Sequence, residues 1–337
     1  MDKLDKEVLM NYNLSLNLFD KFDLEIREVL PIRSVFLLKT DKGEKILKKL
    51  DYSIEQLNFI QEVLNYISIR FPRVMSFMKN KENKIYTTYD NEIYCIMNVI
   101  KGRECDLNNP LDLKVASLGL GEMHKASMGF NTNFQKNIFL GKMIDNFKTK
   151  KKDMKFFKEI ANVHDNKTDF DNIFLFYVDY YISQVEESIE VLENSDYYAL
   201  CKEEDKIAIC HHDLAYHNII IEKEEAYFID FDYSIIDLKI HDLCNFIIKS
   251  IKRFAFDIGR TENILDNYCK TNNLDKRELK VLYAMLNFPE DFYSISKNYY
   301  TRKKQWGEGV FLNRFIKKCD YKEYREDLLK EFKENIL

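Results

Sequence analysis

No two cysteines of this 337-residue chain stand in a C-x-x-C arrangement. The seven present, Cys95, Cys105, Cys201, Cys210, Cys244, Cys269 and Cys319, are scattered and odd in number. That excludes a zinc-finger reading and fits reduced thiols in a cytoplasm. No apolar run approaches the length of a membrane span, and the opening MDKLDKEVLMNYNLSLNLF is broken by charge, without the basic-then-apolar pattern of a signal peptide. A soluble protein made in the cytoplasm, with no membrane partner, is expected. Neither sign of charge prevails: 51 basic and 56 acidic residues are interspersed to a net charge of −5, so no field steers the chain onto nucleic acid. What is abundant is core material. With 46% hydrophobic and 14% aromatic residues, the chain can bury a large core in two lobes or domains.

Histidine is scarce, at six residues, yet His211, His212 and His217 fall together in AICHHDLAYHNIIIEKEEAYFIDFDYS (208–234), beside Asp213, Asp230 and Asp232. Within that stretch IAIC, NIII and AYFIDF read as short strands and EKEE as a turn, so a small sheet is expected to carry the polar residues. His211, Asp213 and Asn218 would then occupy the loop after the first run and Asp230 the end of the third. Two carboxylates and an amide gathered in this way suit Mg²⁺, a hard cation that takes oxygen ligands from protein and phosphates. Zinc is the competing reading, since His211, His212, Asp213 and His217 are all of ligand type. Adjacent side chains in an extended loop diverge, however, and the i, i+4 histidine pair of zincins is missing.

Elsewhere the patterns separate cleanly. After a short amphipathic N-terminal helix, residues 24–50 read as strands (LEIREVL, RSVFLLKT, KILKKL) with a hairpin turn at DKGE. Ser53 is a suitable N-cap for SIEQLNFIQEVLNYIS, an amphipathic helix, and KIYTTYD and IYCIMNVI are further strands. From Gly102 onward helical patterns dominate, as at 111–126, 166–193 and 274–332.

This order of parts, with H-x-D-x-x-x-x-N at His211–Asn218 and a D-F-D triplet at Asp230–Asp232, resembles the protein-kinase-like fold. The expected class is α+β and bilobal: an N-terminal extension over 1–23, a small antiparallel-sheet lobe over 24–98 and a large, mainly helical lobe over 99–337. Asp232 in place of glycine and His212 in place of arginine are closer to aminoglycoside and choline phosphotransferases than to protein kinases, and no A-P-E segment follows. VIKGRE (99–104), LGLGEMHKASMGF (118–130), IHDLCNFIIK (240–249) and NYYTRKKQW (298–306) resemble the CotS-type spore-coat protein family of endospore-forming bacteria, from about Leu24 to Lys318.

The resemblance implies an ATP- and Mg²⁺-dependent phosphotransferase that moves the γ-phosphoryl group to a hydroxyl of a small molecule or coat protein. It also implies a place in the mother-cell cytoplasm or, with other coat proteins, in the spore coat. Asp213 would be the base that orients the hydroxyl, His211 would brace the loop, and Asn218 and Asp230 would hold the metal. Lys48 would contact the nucleotide phosphates, with Glu62 as its ion-pair partner and Glu55 as the alternative. Lys49 points to the opposite face. Met97, Val99 and Ile100 would meet the adenine through backbone groups. The loop expected to cover the phosphates has no glycine, only Pro31, Arg33 and Ser34, so Arg33 and Ser34 would substitute for backbone approach. That departure keeps open a second function: an inactive, kinase-like structural component of the coat.

Plainer roles stand beside these. Asp242 is either a helix N-cap or a tie to the catalytic loop. Tyr299, Tyr300 and Trp306 are either buried packing or a lining of the substrate site. The lysines around 148–158 read as a solvated helix face.

Overall fold

In the computed structural model, which describes Leu14 and residues 16–337, the chain divides into two compact units. The first holds the residues up to Asp106 together with Tyr216–Tyr233; the second holds Leu107–Ala215 and Ser234–Leu337. The single boundary expected near residue 98 is therefore replaced by three crossings. Of the expected N-terminal extension, residues 1–13 and 15 lie outside the described residues.

The first unit is built on an antiparallel sheet of β1 (Ile26–Ile32), β2 (Val35–Thr40), β3 (Gly43–Leu50) and β6 (Glu92–Asn98), with β4 (Phe77–Met78) and β5 (Tyr86–Tyr89) both pairing along β6. Register places Ile46 opposite Met97 and Lys48 opposite Cys95. Alternation then turns Leu47 and Ile96 to the other face, where they pack with Val29, Leu38 and Tyr94. Helix α1 (Leu16–Asp20) lies over this outer face through Leu18 and Phe19. Ser53 caps α2 (Ile54–Ser68), accepting from the Gln56 amide at 3.2 Å, and α2 buries Leu57, Ile60, Val63, Leu64 and Ile67.

Beyond β6 the chain forms β7 (Arg103–Glu104), which pairs with β9 (Ile219–Glu222), itself in a hairpin with β10 (Glu225–Phe228). This is what draws 216–233 into the first unit. The hairpin turn, Lys223-Glu224, has both residues at positive φ, the twist that a two-residue hairpin needs. The three strand runs of the histidine-rich stretch do not make one sheet. IAIC, as β8 (Ile207–Cys210), pairs with β11 (Ile235–Leu238) in the second unit, because the loop after β8 carries the chain out of that unit before β9 begins.

The rest of the second unit is helical. Its helices are α3 (Pro110–Ser127), α4 (Met143–Val163), α5 (Asp169–Glu193), the short α6 (Tyr197–Leu200), α7 (Lys239–Ile251), α8 (Ile258–Cys269), α9 (Lys276–Asn287), α10 (Glu290–Tyr300), α11 (Glu308–Cys319) and α12 (Lys322–Asn335). The long pattern over 274–332 is thus four helices. An aromatic cluster joins α5, α10 and α11: Tyr299 stacks on Phe170 at 3.8 Å, and Phe315 lies 4.3 Å from the same ring. The Tyr300 hydroxyl donates to Asp171 at 2.9 Å, and Trp306 lies under Arg314. The three aromatic residues of the NYYTRKKQW segment are half-buried; they pack in this way and also line a cavity of about 620 Å³. Lys148, Lys151, Lys155 and Lys158 pair with carboxylates of α5, the solvated face expected of them. All seven cysteines are free thiols.

Gly102 follows the β6 edge at φ +134°, and a Cβ there would meet the Ile221 carbonyl oxygen and Ile220 Cγ2 at 2.7 Å. Backbone strain and a clash with a fixed strand then act together. Gly102→Ala is expected to destabilise the chain by about 2–3 kcal/mol. The check is urea unfolding, in which the midpoint falls at an unchanged slope.

Candidate active site

One cavity of the first unit, of about 320 Å³, gathers most of the sequence-predicted residues: Arg33, Ser34, Lys48, Met97, Val99, Ile100, Asn218 and Asp230 all line it. The β3 alternation sets its floor, since Ile46 and Lys48 point inward while Lys49 reaches outward to Glu92 at 2.7 Å. The ladder between β3 and β6 stops at Lys45 and Asn98, so the wall at Val99 and Ile100 is backbone past the end of that pairing. Such a wall can meet a planar heterocycle with main-chain groups whatever side chains it carries.

Lys48 is not held by Glu62. Its ammonium sits 2.7 Å from Asp230 Oδ1 and 2.6 Å from Asp232 Oδ2. The physical reason is the D-F-D triplet: where glycine would leave space, Asp232 brings a second carboxylate onto the lysine. The Tyr52 hydroxyl donates to Asp232 Oδ1 at 3.0 Å and Gln56 Nε2 to its carbonyl at 3.1 Å. Helix α2 thus steadies the lysine through Asp232, by way of Gln56 and not a glutamate. Burial works against the Lys48 charge, yet Asp232 and Asp230 outweigh it and lift the pKa to about 12. The Asp232 carboxyl is itself raised, by burial first and the Asp230 charge among the further causes, against the pull of Lys48. Two carboxylates share one ammonium, so the group carries a net charge of −1 when both are ionised.

That residual charge bears on metal. Asn218, almost fully buried, and Asp230 are hard oxygen donors lining the same cavity, and the backbone beside them is joined by the Ile229 amide donating to the Asn218 carbonyl at 3.0 Å. A negatively charged, oxygen-lined pocket suits a small divalent cation with phosphates as further ligands, so the residues fit Mg²⁺. Asp230 has φ +66°, a conformation that aspartate tolerates better than most residues. Its amide donates to Met75 Sδ at 3.1 Å. The expected phosphate loop is the two-residue turn between Ile32 and Val35. Arg33 adopts φ +53° there and reaches Glu104 at 2.7 Å.

Asp213 and His211 belong to the second unit. Asp242, fully buried in the first turn of α7, accepts from the His211 amide and, at 2.7 Å, from the His212 amide. His124 approaches the same carboxylate at 3.3 Å and bonds the Tyr268 hydroxyl at 2.8 Å through its other ring nitrogen. The tie to the loop is thus the observed role of Asp242; the residue at the helix N-cap is Leu238. His211 Nδ1 accepts from the Asp213 amide at 3.3 Å. His212 stands at φ +65°, and burial lowers its pKa. Lys249 on α7 reaches Asp213 Oδ1 at 2.6 Å. His124, Cys210 and Asp242 are the metal-type cluster found among the described residues. His124 and Asp242 are committed to the bonds just given.

Residues 15–332 match the family described as spore coat putative kinase YutH. The chain belongs to that family. This YutH-family chain is similar to spore coat protein S of Bacillus subtilis (strain 168), with 24% identity over 285 residues, 82% of this chain and 80% of that protein. Its structure is similar to that of the aminoglycoside phosphotransferase from Alicyclobacillus acidocaldarius subsp. acidocaldarius DSM 446, at a TM-score of 0.84 and 18% identity over 95% of this chain and 96% of that one. It is also similar to a spectinomycin phosphotransferase in complex with ADP and spectinomycin, at a TM-score of 0.66 and 14% identity over 89% and 92%. The fold is therefore that of the protein-kinase-like phosphotransferases, with an antiparallel sheet in the N-terminal region and helices through most of the remainder, as the sequence suggested.

Five participants had no role in the sequence reading: Asp232, Tyr52, Gln56, Glu104 and Lys249. Only Asp232 carried a signal, as the odd third member of its triplet.

The Asp242 carboxyl is pushed up by burial, but His124 and the loop amides outweigh this and depress its pKa below the ordinary 3.8. Its stabilising contribution is therefore full above that value and is lost as pH falls through the depressed folded value. Asp242→Asn, which turns an NH₂ toward one loop amide, should cost about 3 kcal/mol at neutral pH. It should also flatten the acid limb of stability below about pH 4, as followed by urea unfolding across pH.

Proposed function

We propose that this chain is an ATP- and Mg²⁺-dependent phosphotransferase with a hydroxyl acceptor. The observation that carries this reading is the convergence of Lys48, Asn218 and Asp230 on one cavity whose wall is the backbone of Met97–Ile100. Lys48 would place its ammonium on the nucleotide phosphates, exchanging the Asp230 contact for a phosphate oxygen while Asp232 keeps it aimed. Asn218 and Asp230 would hold the metal, which neutralises charge that develops on the phosphoryl group. Asp213 would orient the acceptor hydroxyl and take its proton, with Lys249 keeping the carboxylate pointed. His211 and Asp242 act on Asp213 only by fixing its backbone. Like its family, the protein would serve the spore coat, which calls for no membrane span; among the described residues no helix is long and apolar enough for one.

A second reading has its own support. The turn at Arg33 and Ser34 has no glycine, and Arg33 is already paired with Glu104, which is compatible with a coat component that has stopped turning over.

The two are separated by thermal unfolding with and without nucleotide. Mg²⁺ with ATP at about a hundredfold excess over Kd should add about 2–3 kcal/mol of stability. Asp230→Asn should abolish that gain, whereas Asp213→Asn should keep it and lose ADP release. No gain for the unmodified chain at millimolar ATP would sink the kinase reading, and a gain with no ADP release from any acceptor would favour the coat-component reading.

A further inference from the structure

The acceptor leaves a trace in the second unit. Helix α7 and its C-cap Lys252 place Asn245, Ile248, Lys249 and Lys252 at spacings of three, four and seven residues, one stripe of the helix, and all four line a cavity of about 230 Å³. Lys249 has Asp213 at 2.6 Å, so one residue lining this cavity is bonded to the carboxylate assigned above to the acceptor hydroxyl. From α11 comes Lys318 and from α12 Arg325; from the start of α10 come Glu290 and Asp291.

The charges do not cancel. Asp291 is shared between Lys252 at 2.7 Å and Lys318 at 3.4 Å. Glu290 is taken by Lys150 of α4 at 2.6 Å. Arg325 donates to the carbonyls of Leu286 and Asn287 and to Gln184, and among the described residues it pairs with no carboxylate. Counting Asp213 and Lys150, five cations stand against three carboxylates. Aromatic walls from Tyr181, Phe292 and Tyr321 surround these groups, lowering the local dielectric and sharpening the preference for one sign of charge.

We propose that this cavity receives the anionic end of the acceptor, a hydroxyl compound bearing a phosphate or a carboxylate. The inference rests on the phosphotransferase reading for the acceptor role and on the cavity alone for the sign of charge. In the transfer step the bond from the γ-phosphorus to the β,γ-bridging oxygen of ATP breaks and a bond from that phosphorus to the acceptor oxygen forms. The hydroxyl proton passes to Asp213, and ADP leaves. Lys252, Lys318 and Arg325 hold the anionic end while Lys249 stands between it and the reacting hydroxyl.

The test is calorimetric titration of the full chain with glycerol 3-phosphate, glycerate, glycerol and choline. One or both anions should bind, with glycerol and choline weaker by at least about tenfold, the loss of one charge-assisted hydrogen bond. Lys252→Gln and Lys318→Gln should each weaken the anion by about tenfold, and Lys48→Met, in the other unit, should leave its binding unchanged. Binding of glycerol 3-phosphate but not glycerate names phosphate as the preferred group, and the reverse names carboxylate; either upholds the proposal. It is overturned if choline binds as tightly as the anions, if no anion binds at millimolar concentration, if both glutamine variants bind as the unmodified chain does, or if Lys48→Met removes binding. Transfer to choline without anion binding would overturn this inference and leave phosphotransfer standing. Anion binding lost in Lys318→Gln, with no ADP released under Mg²⁺ and ATP, would uphold the anion site and overturn phosphotransfer.

Discussion

A single carboxylate with no solvent contact, that of Asp242, holds together the loop on which the candidate chemistry of the second unit depends. An ionised carboxylate in that position is tolerable only if its lone pairs are filled, and the loop fills them with the amides of His211 and His212. The dependence is mutual. His212 can remain at φ +65°, a conformation costing about 1 kcal/mol for such a residue, because its amide donates to this ionisable acceptor. With both amides fixed, the next residue along the chain, Asp213, has little freedom left in its backbone. Lys249 then fixes its side chain from α7, the same helix that supplies Asp242. One helix therefore sets both the position of the loop and the direction of its carboxylate.

The first unit solves a comparable problem with charge in excess. Lys48 with Asp230 and Asp232 forms a group of one cation and two anions beneath a half-closed surface. Asp232 is the more buried of the two acids and is bonded from three sides, by Lys48, Tyr52 and Gln56. Asp230 is more exposed and is the one that faces the cavity. The division of labour follows from burial. Asp232 is placed to hold the lysine, and Asp230 is the acid that a metal and its phosphates can reach without removing that hold.

Much of this was legible because local rules coincide with the fold. Ser53 announces α2 by its capping chemistry, strand alternation separates Lys48 from Lys49, and the spacing of Asp213 and Asn218 is a chain property that needs no tertiary knowledge. What was not legible depends on contacts far apart in sequence. Nothing near Lys48 says that its partner lies more than 180 residues away at Asp232 and not on the adjacent helix at Glu62. For Asp242 the sequence left an N-cap and a tie to the loop open together, and only the start of α7 three residues earlier, with the side chain turned inward, decides between them. The runs IAIC and NIII have the same β character, and only pairing partners 103–104 and 235–238 assign them to different sheets. Lys249 was hidden in a helix whose periodicity reveals a face but not what that face meets.

The features that look unfavourable argue against a fold kept only as a scaffold. Burial raises the cost of ionising Asp232, and the charge of nearby Asp230 adds to that cost. Asp230 and His212 both sit in the left-handed region, where a glycine would relieve strain. A packing role needs none of these, since an amide in place of either acid would remove the repulsion and glycine the strain. Strain of this kind can serve to present a group in one direction, and three of the twelve non-glycine residues at positive φ among the described residues, Arg33, Asp230 and His212, lie on the Lys48 cavity or on the loop carrying Asp213. The glycine-free turn at Arg33 pulls the other way, but it lies at the exposed rim and is joined to Glu104 by a surface ion pair of small energetic weight. A rim contact that weak yields readily to an incoming polyanion, for which Arg33 itself is a partner. The costly buried arrangement therefore weighs more in the functional reading than the inexpensive exposed one.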